Sequence, residues 1–401
     1  MAGGRDGALD SRAAAAAYLG GICFKLGPPA RIGAELEWIT VPADGCGARP
    51  ALGRVAAALG PHAPTTVVPD SPAHPLPAGS RVTIEPGGQL ELSSSPVGSV
   101  AELCAGLAVD AAVLRGRLAA HSIRLLAVAA DTRRPPRRLL SSPRYRAMEA
   151  AFAAIGPFGA LMMCNTAATQ VSVDAGADPA EVDARWRCLY TIGPALVAAF
   201  ACSPRLYGAP AGAWASQRMR TWLFLDHSRT AEPPAPAQYP AWVLDRPLLC
   251  VRRGGPDWSA PRDATFGDWI DGALDDELGR RPTRDDLRYH LTTLFPPVRP
   301  AGHLEVRYLD AQPGPGWAVP ILAVAALTGS PEVVSQATSL GATTAGRWQD
   351  AARHGLADPD FRRAGTDLLE LATAHTTVPA PLAAAARRCR RGIDPVRAAA
   401  A

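Results

Sequence analysis

Two glutamates stand two residues apart in the segment RIGAELEWIT, which covers residues 31–40. On a β-strand, residues two apart share a face, so Glu35 and Glu37 would project together while Leu36 and Trp38 project to the other side. Carboxylates this close repel each other unless a cation or hydrogen-bond donors lie between them. A divalent metal ion is the chemistry that such a pair favours. A solvated strand face is the alternative, and for an isolated pair it is the commoner one.

Three later segments repeat this alternation of polar and apolar residues, which favours the metal interpretation. In SRVTIEPGGQLELSSSP, Glu85 ends one short strand and Glu91 lies on the next, after a turn at Pro-Gly-Gly. In LMMCNTAATQVSVDAG, Gln170 lies on the polar face of a third strand. In HLEVRYLDAQPG, Glu305 and Arg307 share one face of a fourth, so a carboxylate and a guanidinium stand side by side.

The third of these segments also carries Asn165, the only asparagine in the chain. We predict it at the start of the strand, next to Thr166. In a composition that nearly eliminates asparagine, its presence indicates that an amide is required there. A turn asparagine is an equally good interpretation.

Three arginines lie among aromatic residues in GAWASQRMRTWLFLDHSRT. The sequence pattern assigns this segment neither to helix nor to loop. Arg218 and Arg220 lie between Trp214 and Trp222, and Arg229 follows. A planar guanidinium held beside aromatic rings is suited to binding a carboxylate or a phosphate in a fixed geometry.

Length and composition predict one large domain over residues 1–401, with a disordered start at 1–8 and a helical C-terminal part at 318–401. The chain has 401 residues, is 48% hydrophobic, and carries 41 basic against 37 acidic residues, a net charge of +4. This balance, spread along the chain, argues against a nucleic-acid or membrane surface. No apolar run reaches the ~18 to 20 residues of a membrane span.

The lysine and cysteine content excludes two kinds of site. Lys25 is the only lysine, and its surroundings, ICFKLGPP, lack the frame of a P-loop. The eight cysteines form no C-x-x-C pair and no zinc-like spacing with histidine. We therefore expect buried free thiols and a reducing cytoplasm.

Helical patterns separate the four polar strands. Residues 10–24, 97–121, 178–200 and 265–278 are predicted to be helices from their composition and caps. The chain beyond residue 317 is predicted to be helical with breaks near Gly329, Gly341 and Asp358. Strands between helices, each with one polar and one apolar face, indicate an α/β (α+β) fold.

The segments GAELEW, QLELSS, NTAATQ, RMRTW and HLEVRYLDAQP, in this order, resemble the glutamate–cysteine ligases. The resemblance covers about residues 31–317 and is closest to the actinobacterial branch that serves ergothioneine biosynthesis. It implies a glutamine-synthetase-like fold, in which a curved, largely antiparallel sheet forms a polar trough and helices pack on the convex face. It also implies that ATP drives the ligation of the γ-carboxylate of L-glutamate to the amine of L-cysteine through a γ-glutamyl phosphate.

The resemblance assigns roles to the strand-borne charges. It implies that Mg²⁺ is held by five glutamates: Glu35, Glu37, Glu85, Glu91 and Glu305. Arg307 would contact ATP and face the transferred phosphate, so that Arg307 and Glu305 together would be catalytic. Carboxylates, Mg²⁺ and an arginine neutralise charge on a phosphoryl group without a P-loop.

The resemblance also implies the substrate-binding residues. Arg218 would bind the glutamate substrate, and Asn165, Thr166 and Gln170 would line the pocket between the strands. Some relatives have a histidine, a common metal ligand, at the position of Gln170. Because this chain has a glutamine there instead, hydrogen bonding is favoured over metal contact at this position.

Three other functions remain open on the sequence alone. A ligase of the same fold that joins glutamate to another amine would share every carboxylate and differ only in the acceptor pocket. A two-metal hydrolase would use similar ligands but usually adds histidine or aspartate, and only His303 lies near a carboxylate motif. A non-catalytic binding protein would not need five glutamates on polar strand faces.

Overall fold

The structure, a computed structural model, describes residues 7–27, 30–45 and 47–400. Most of the expected disordered start at 1–8 lies outside the described residues. Within it, Ala8 forms an isolated β-bridge with Thr283.

One seven-stranded sheet organises the chain. Its strands are β1 (Ile32–Pro42), β2 (Arg81–Ile84), β3 (Leu90–Ser93), β4 (Ile123–Leu126), β5 (Ala168–Val173), β6 (Val298–Pro300) and β7 (Leu304–Asp310). Their order is β2-β3-β1-β5-β7-β6, with β4 paired to the far end of β1, and every one of these pairs is antiparallel. The predicted fold class, an α/β fold built on an antiparallel sheet, is confirmed.

The alternation read from the sequence separates the two faces of this sheet. Leu36 and Trp38 of β1 are buried in the main core, as are Val171 of β5 and Val306 of β7. The residues between them point to the opposite, polar face, because successive side chains of a strand alternate. The sequence pattern therefore decides which face meets the helices and which remains available for chemistry.

Eighteen α-helices in the described part of the chain pack around the sheet. They are α1 (Arg12–Cys23), α2 (Leu52–Leu59), α3 (Val100–Ala120), α4 (Pro143–Ala153), α5 (Phe158–Asn165), α6 (Pro179–Phe200), α7 (Gln217–Leu223), α8 (His227–Thr230), α9 (Tyr239–Leu244), α10 (Phe266–Asp271), α11 (Asp275–Leu278), α12 (Arg284–Leu291), α13 (Val319–Leu327), α14 (Pro331–Gly341), α15 (Trp348–His354), α16 (Pro359–Ala374), α17 (Pro379–Arg390) and α18 (Pro395–Ala400). Short 3₁₀ turns lie at Gly60–His62, Gly314–Ala318, Ala342–Thr344 and Gly355–Ala357.

Side-chain N-caps position several of these helices. Ser11 caps α1 and Ser99 caps α3, each through its side-chain oxygen. Thr283 caps α12 and forms a reciprocal capping box with Asp286. These bonds satisfy backbone N–H groups that have no partner inside the helix, which is why the helices begin where the sequence indicates.

Two predicted elements differ from the structure. The stretch before Asn165, predicted as the start of a strand, is helix α5, because FGALMMCN contains no β-branched residue and is rich in good helix formers. The single helix predicted over residues 265–278 is two helices, α10 and α11. Gly272 takes a left-handed conformation (φ 92°) and ends the first of them.

The helices cover the apolar face of the sheet. Helix α6 packs against β7, α13 against β5 and α3 against β1. The hydroxyl of Tyr308 on β7 donates a hydrogen bond to the carbonyl of Leu189 in α6, 3.2 Å away. Helices α14 and α16 pack in turn on α6, so the C-terminal helices form a second layer. The assignment of the whole chain to one catalytic domain stays a prediction.

Two further expectations concern membranes and disulfides. Within the described ranges, no single helix is long and apolar enough to cross a membrane; the bent pair Gly314–Leu327 and Pro331–Thr344, at 111°, passes by length and composition alone. The seven cysteines in the described part of the chain are free thiols, and six of them are buried.

Candidate active site

The polar face of the sheet forms one wall of a cavity of about 280 Å³. Its lining includes most of the predicted site residues: Glu35, Glu37, Glu85, Glu91, Thr166, Gln170, Arg218 and Arg307. Two predicted residues, Asn165 and Glu305, are not part of that lining. We call this cavity the trough.

Gln170 joins the two glutamates of β1. Gln170 on β5 lies directly opposite Glu35 on β1. Its side-chain Nε2 donates hydrogen bonds to Glu35 Oε2 at 2.8 Å and to Glu37 Oε1 at 3.1 Å. The backbone N–H of Ala168 donates to the second oxygen of Glu37 at 2.9 Å. The amide thus has a hydrogen-bonding position, as the sequence favoured, and it lies between two carboxylates that would otherwise repel each other.

The other two carboxylates come from the β2–β3 hairpin. Glu91 lies opposite Glu37 in the sheet, and one of its oxygens accepts hydrogen bonds from Thr83 and Ser93 at 2.7 and 3.0 Å. Glu85 begins the turn that connects the two strands. At Gly87 in this turn, a Cβ atom would lie 2.4 Å from the carbonyl oxygen of Cys164, so only glycine fits.

Burial and the neighbouring carboxylates raise the pKa values of three trough carboxyls. Burial, followed by the charges of Glu91 and Glu37, raises the pKa of Glu85 to about 8. Burial and Glu91 raise the pKa of Glu37 to about 7. Burial, Glu91 and Glu305 raise the pKa of Glu35 well above its ordinary value. A group of carboxyls in this state favours either protons or a cation.

The opposite end of the trough is arranged differently. Glu305 accepts hydrogen bonds from Arg299 at 2.7 and 3.1 Å and from Arg307 at 2.9 Å. Burial alone would raise the pKa of Glu305, but the two arginines outweigh it and lower the pKa to about 2. Glu305 therefore stays ionised behind the two guanidinium groups, which line the trough in its place.

Arg218 lies deep in the trough on helix α7, with 2% of its surface exposed. Its Nη2 donates to the backbone oxygen of Arg307 at 2.7 Å, and its Nη1 lies 3.8 Å from Asp310. Asp310 itself accepts hydrogen bonds from the hydroxyls of Ser203 and Ser216. Arg218 is thus held in one orientation and joins helix α7 to strand β7.

A bulge in strand β7 places both Glu305 and Asp310 on the trough side of the sheet. Thr169 pairs with Leu309 and Val171 with Val306, so two residues of β7 lie opposite the single residue Gln170. The extra residue changes which positions face the trough side. Before the bulge, the odd-numbered Glu305 and Arg307 face this side. After it, the even-numbered Asp310, which contacts Arg218, does so.

Asn165 does not line the trough, contrary to the prediction. Because it ends a helix instead of starting a strand, its side chain is fully buried behind the Glu85 turn. Its Oδ1 accepts from Arg49 at 2.5 Å, and its Nδ2 donates to the carbonyl of Arg134 at 2.7 Å. Arg49 also donates to the carbonyl of Gly87 at 3.1 Å. The only asparagine therefore belongs to a buried polar cluster that supports the turn.

A family model described as glutamate–cysteine ligase family 2 matches residues 31–400 of the chain. The chain belongs to this family.

Relatives support this membership over most of the length. Glutamate–cysteine ligase EgtA of Mycolicibacterium smegmatis is 37% identical over 369 residues, which cover 89% of this chain and 83% of that protein. EgtA of Mycobacterium tuberculosis is 37% identical over 405 residues, covering 97% and 89%. The chloroplastic glutamate–cysteine ligase of Medicago truncatula is 30% identical over 241 residues, covering 58% of this chain and 47% of that protein.

Solved structures share the fold. A glutamate–cysteine ligase of Francisella tularensis, solved in complex with AMP, superposes with a TM-score of 0.54 at 14% identity over 94% of this chain and 85% of that chain. A bifunctional glutathione synthetase of Pasteurella multocida gives a TM-score of 0.52 at 12% identity over 97% of this chain and 49% of that chain. At identities of 14% and 12%, these two similarities show that this family 2 ligase shares their fold, and they carry no conclusion about its reaction.

The donors of the trough fit a magnesium ion that is shared with phosphate. In the described part of this family 2 ligase, no three His, Cys, Asp or Glu side chains converge as a metal-holding group. Mg²⁺ does not require such a group, because it usually binds through one or two carboxylates together with water and substrate phosphates. Apart from methionine sulfurs, the described lining of the trough offers only oxygen atoms as metal ligands, and burial among other carboxylates raises the pKa values of Glu37 and Glu85.

Sequence reasoning missed three groups of residues in the site. Arg299 lies on the three-residue strand β6, which is too short to show alternation. Asp310 is concealed by the bulge. The apolar wall that faces the carboxylates, formed by Met148, Met162 and Phe295, comes from elements far apart in the chain. The Arg-Pro ending of β6 and the aspartate of HLEVRYLD were the available signals, and neither is specific.

Proposed function

We propose that this protein catalyses the ATP-dependent ligation of the γ-carboxylate of L-glutamate to the amine of L-cysteine, through a γ-glutamyl phosphate, for ergothioneine biosynthesis. The observation that carries the proposal is that the trough brings four carboxylates, the buried Arg218 and the half-buried Arg299 and Arg307 to one cavity. The family and its EgtA relatives support the choice of substrates.

The reaction explains why both ends of the trough are needed. A free carboxylate resists attack by an amine, so one of its oxygens must first become a good leaving group. Transfer of the γ-phosphoryl group of ATP to glutamate achieves this, and the amine then displaces phosphate. Charge develops on the phosphoryl oxygens during transfer, and preorganised cationic groups stabilise it.

Arg307 is the residue that we propose for this stabilisation. Its guanidinium lines the trough, is held by Glu305 at 2.9 Å and lies 5.7 Å from the centre of the Trp222 ring. A side chain held from two directions loses little freedom when it meets the phosphoryl group, so its charge acts without reorganisation.

The carboxylates are proposed to bind Mg²⁺. Glu35, Glu37, Glu85 and Glu91 face the trough directly, and when bound the ion would neutralise phosphate oxygens and orient them. Glu305 is the fifth proposed ligand. A carboxylate offers about four lone-pair positions, and the two arginines occupy three of those of Glu305.

The substrates are proposed to lie on either side of the phosphoryl group. Arg218, with its fixed guanidinium, would bind the α-carboxylate of glutamate, and Thr166 and Gln170 would line the same pocket. The wall of Met148, Met162 and Phe295 offers a polarisable apolar surface to the side chain of cysteine. Asn165 would act indirectly, by supporting the Glu85 turn.

The test is a coupled assay of ADP release with the purified protein, together with mass spectrometry of the product. We expect ADP release to require glutamate and cysteine together and γ-glutamylcysteine to accumulate in equal amount. A panel of amines, including serine, alanine and glycine, tests the acceptor. Release of ADP without an amine would contradict a ligase, and faster turnover with another amine would contradict cysteine as the acceptor.

A further inference from the structure

A second cavity, of about 410 Å³, lies at the end of strand β1 that pairs with β4. Two cross-strand pairs, Ile39 with Leu126 and Val41 with Arg124, contribute to its lining. Most of the remaining lining comes from the segments that follow β4 and α6. None of the described residues that line this cavity also lines the trough. We call it the β4 cavity.

Positive charge dominates the lining of the β4 cavity. Among the residues that the structure describes, four arginines face one carboxylate there: Arg124, Arg133, Arg134 and Arg205 against Asp131. Three of the arginines, all except Arg134, are exposed, and their guanidinium groups form no hydrogen bond or ion pair with a described residue. A concave site with an excess of one charge attracts ions of the opposite charge. The β4 cavity therefore favours an anion.

Asp131 does not balance the three exposed arginines, because it is engaged inside the protein. One of its oxygens accepts from the backbone N–H groups of Arg133 and Arg134 at 3.0 and 3.2 Å, and the other accepts from Nε of Arg134 at 2.7 Å. Its charge thus serves Arg134, which is 5% exposed. Even so, Nη2 of Arg134 is buried without a hydrogen-bond partner among the described residues. A buried donor of this kind is costly, and a ligand oxygen at this wall would satisfy it.

Apolar side chains form another part of the same lining. They include Val41, Leu126, Val128 and Val396, of which Val128 and Val396 are 39% and 43% exposed. The volume of the cavity lies in the range of about 300 to 1,000 Å³ that encloses small organic ligands. Guanidinium groups bind carboxylate and phosphate oxygens through paired hydrogen bonds. The lining therefore suits a molecule that has an oxyanion at one end and an apolar body at the other.

One polar wall separates the β4 cavity from the trough. Ser203 lines the β4 cavity, and its Oγ donates to Asp310 at 2.8 Å and accepts from the backbone N–H of Arg218 at 3.2 Å. The side chain of Arg218 lines the trough. Because Ser203 is itself buried, this wall is closed at that point. A ligand of the β4 cavity would thus leave the trough free for its own substrates.

We propose that the β4 cavity binds a small organic dianion, either a phosphate monoester or a dicarboxylate with an apolar body, which is not a reactant of the trough. Arg124, Arg133 and Arg205 supply the positive charge, and Val128 and Val396 contact the apolar body. Two negative charges are expected because three unpaired guanidinium groups line the same cavity. This inference goes beyond the proposed function and does not depend on it.

Calorimetric titration of the purified protein tests the class of ligand. We expect phenyl phosphate, phthalate or both to bind at one site per chain. Tighter binding of phenyl phosphate assigns the site to organic phosphates, and tighter binding of phthalate assigns it to dicarboxylates. Benzamide has the ring without the charge, and inorganic phosphate has the charge without the ring, so each should bind at least about tenfold more weakly.

Two outcomes of these titrations would overturn the inference. If neither phenyl phosphate nor phthalate binds, the cavity is not a site for an organic dianion. If benzamide or inorganic phosphate binds as tightly as the better of the two dianions, the combination of charge and apolar body is not what the protein recognises.

Variants locate the bound probe. Arg133→Gln and Arg205→Gln should each raise the Kd of the better dianion about tenfold, because each removes a charge-assisted hydrogen bond. Arg137→Gln is the matched control and should leave the Kd unchanged, since Arg137 is an exposed arginine of the same segment as Arg133 but lies outside the cavity. The two test positions lie on different segments, and thermal melting shows that each variant is folded. An unchanged Kd in both would place the probe elsewhere.

A final titration separates the β4 cavity from the trough. The dianion should still bind when Mg²⁺, a non-hydrolysable ATP analogue and glutamate are present at saturation, whereas loss of its binding would assign the probe to the trough. None of these measurements uses turnover, so the two proposals can fail separately. Ligation of cysteine without dianion binding would reject only the β4 cavity, and Arg133-dependent binding in a protein that does not ligate cysteine would reject only the proposed function.

Discussion

The two ends of the trough use the same kind of acidic side chain in opposite ways. At one end, Glu85 and Glu37 have pKa values raised to about 8 and about 7, because they are buried among other carboxylates. At the other end, Glu305 has a pKa of about 2, because Arg299 and Arg307 outweigh the effect of burial. The difference lies in the counter-charges, not in the residue type. The first end is prepared to bind a cation, and the second presents guanidinium groups to an anion.

The largest effect is expected from removing the charge at the arginine end. Arg307→Ala should lower kcat by about 10²- to 10³-fold while nucleotide binding changes little, because the interaction is made mainly in the transition state. Steady-state kinetics and calorimetry measure the two quantities separately. A near-normal kcat with saturating substrates would show that strand β7 is structural and that the active site is misplaced.

The carboxylate end should respond to metal concentration instead. Glu37→Gln keeps the size of the side chain but removes one charged oxygen donor, so the Mg²⁺ concentration needed for half-maximal activity should rise by about 10- to 100-fold. Activity at saturating Mg²⁺ should recover in part. Glu277→Gln, on the exposed helix α11, is the control and should change neither quantity. The same loss at every Mg²⁺ concentration would argue against metal binding by Glu37.

A smaller and more selective effect is expected at Arg218, which belongs to neither end. Arg218→Lys retains the charge but loses the planar fork that binds a carboxylate through two hydrogen bonds. We expect KM for glutamate to rise about tenfold and KM for ATP to change little. Equal changes in both KM values would indicate that the substitution disturbs the trough as a whole through Asp310.

The last effect is on stability and not on turnover, and it concerns the pH dependence of the metal-free protein. A carboxyl whose pKa is raised on folding binds its proton more tightly in the folded state, so its contribution to stability is complete below the unfolded pKa and is lost as the pH rises through the folded value. For Glu85 that loss extends up to pH about 8. It amounts to at most about 1.4 kcal/mol for each pH unit.

Glu85→Gln should therefore be more stable than the parent protein at pH 9 with a chelator present, and the two should converge towards pH 4. Denaturant unfolding at several pH values measures this difference. Adding Mg²⁺ with an ATP analogue should reduce it at high pH, because a bound cation replaces the missing positive charge. A difference that does not depend on pH would mean that Glu85 is ionised throughout.

The trough was predictable from the sequence to the extent that it depends on strand alternation. Residues such as Glu35 and Glu91 lie on unbroken strands, where a period of two decides the face. Asn165 was misplaced because α5 and β5 follow each other with only two residues between them, and an apolar run of that length does not distinguish helix from strand.

The partners of the arginines were not predictable, for a different reason. Arg299 and Glu305 are brought together by pairing between β6 and β7, and Arg49 and Asn165 are 116 residues apart in the chain. Nothing local specifies such partners, because they depend on how the helices and strands pack.

The bulge in β7 determines which kinds of sequence change this strand can tolerate. Substitution of a core residue such as Val306 alters packing at one point. Deletion of Tyr308 would remove the extra residue and leave a regular strand, in which Glu305 still lies opposite Ser172, Arg307 opposite Gln170 and Asp310 opposite Ala168. These three side chains would therefore keep their face. Deletion of Val306 would also leave a regular strand, but Arg307 would then lie opposite Val171 and turn into the helical core. In a deep scan of this segment, deletion of Tyr308 should be better tolerated than deletion of Val306, although both residues are buried.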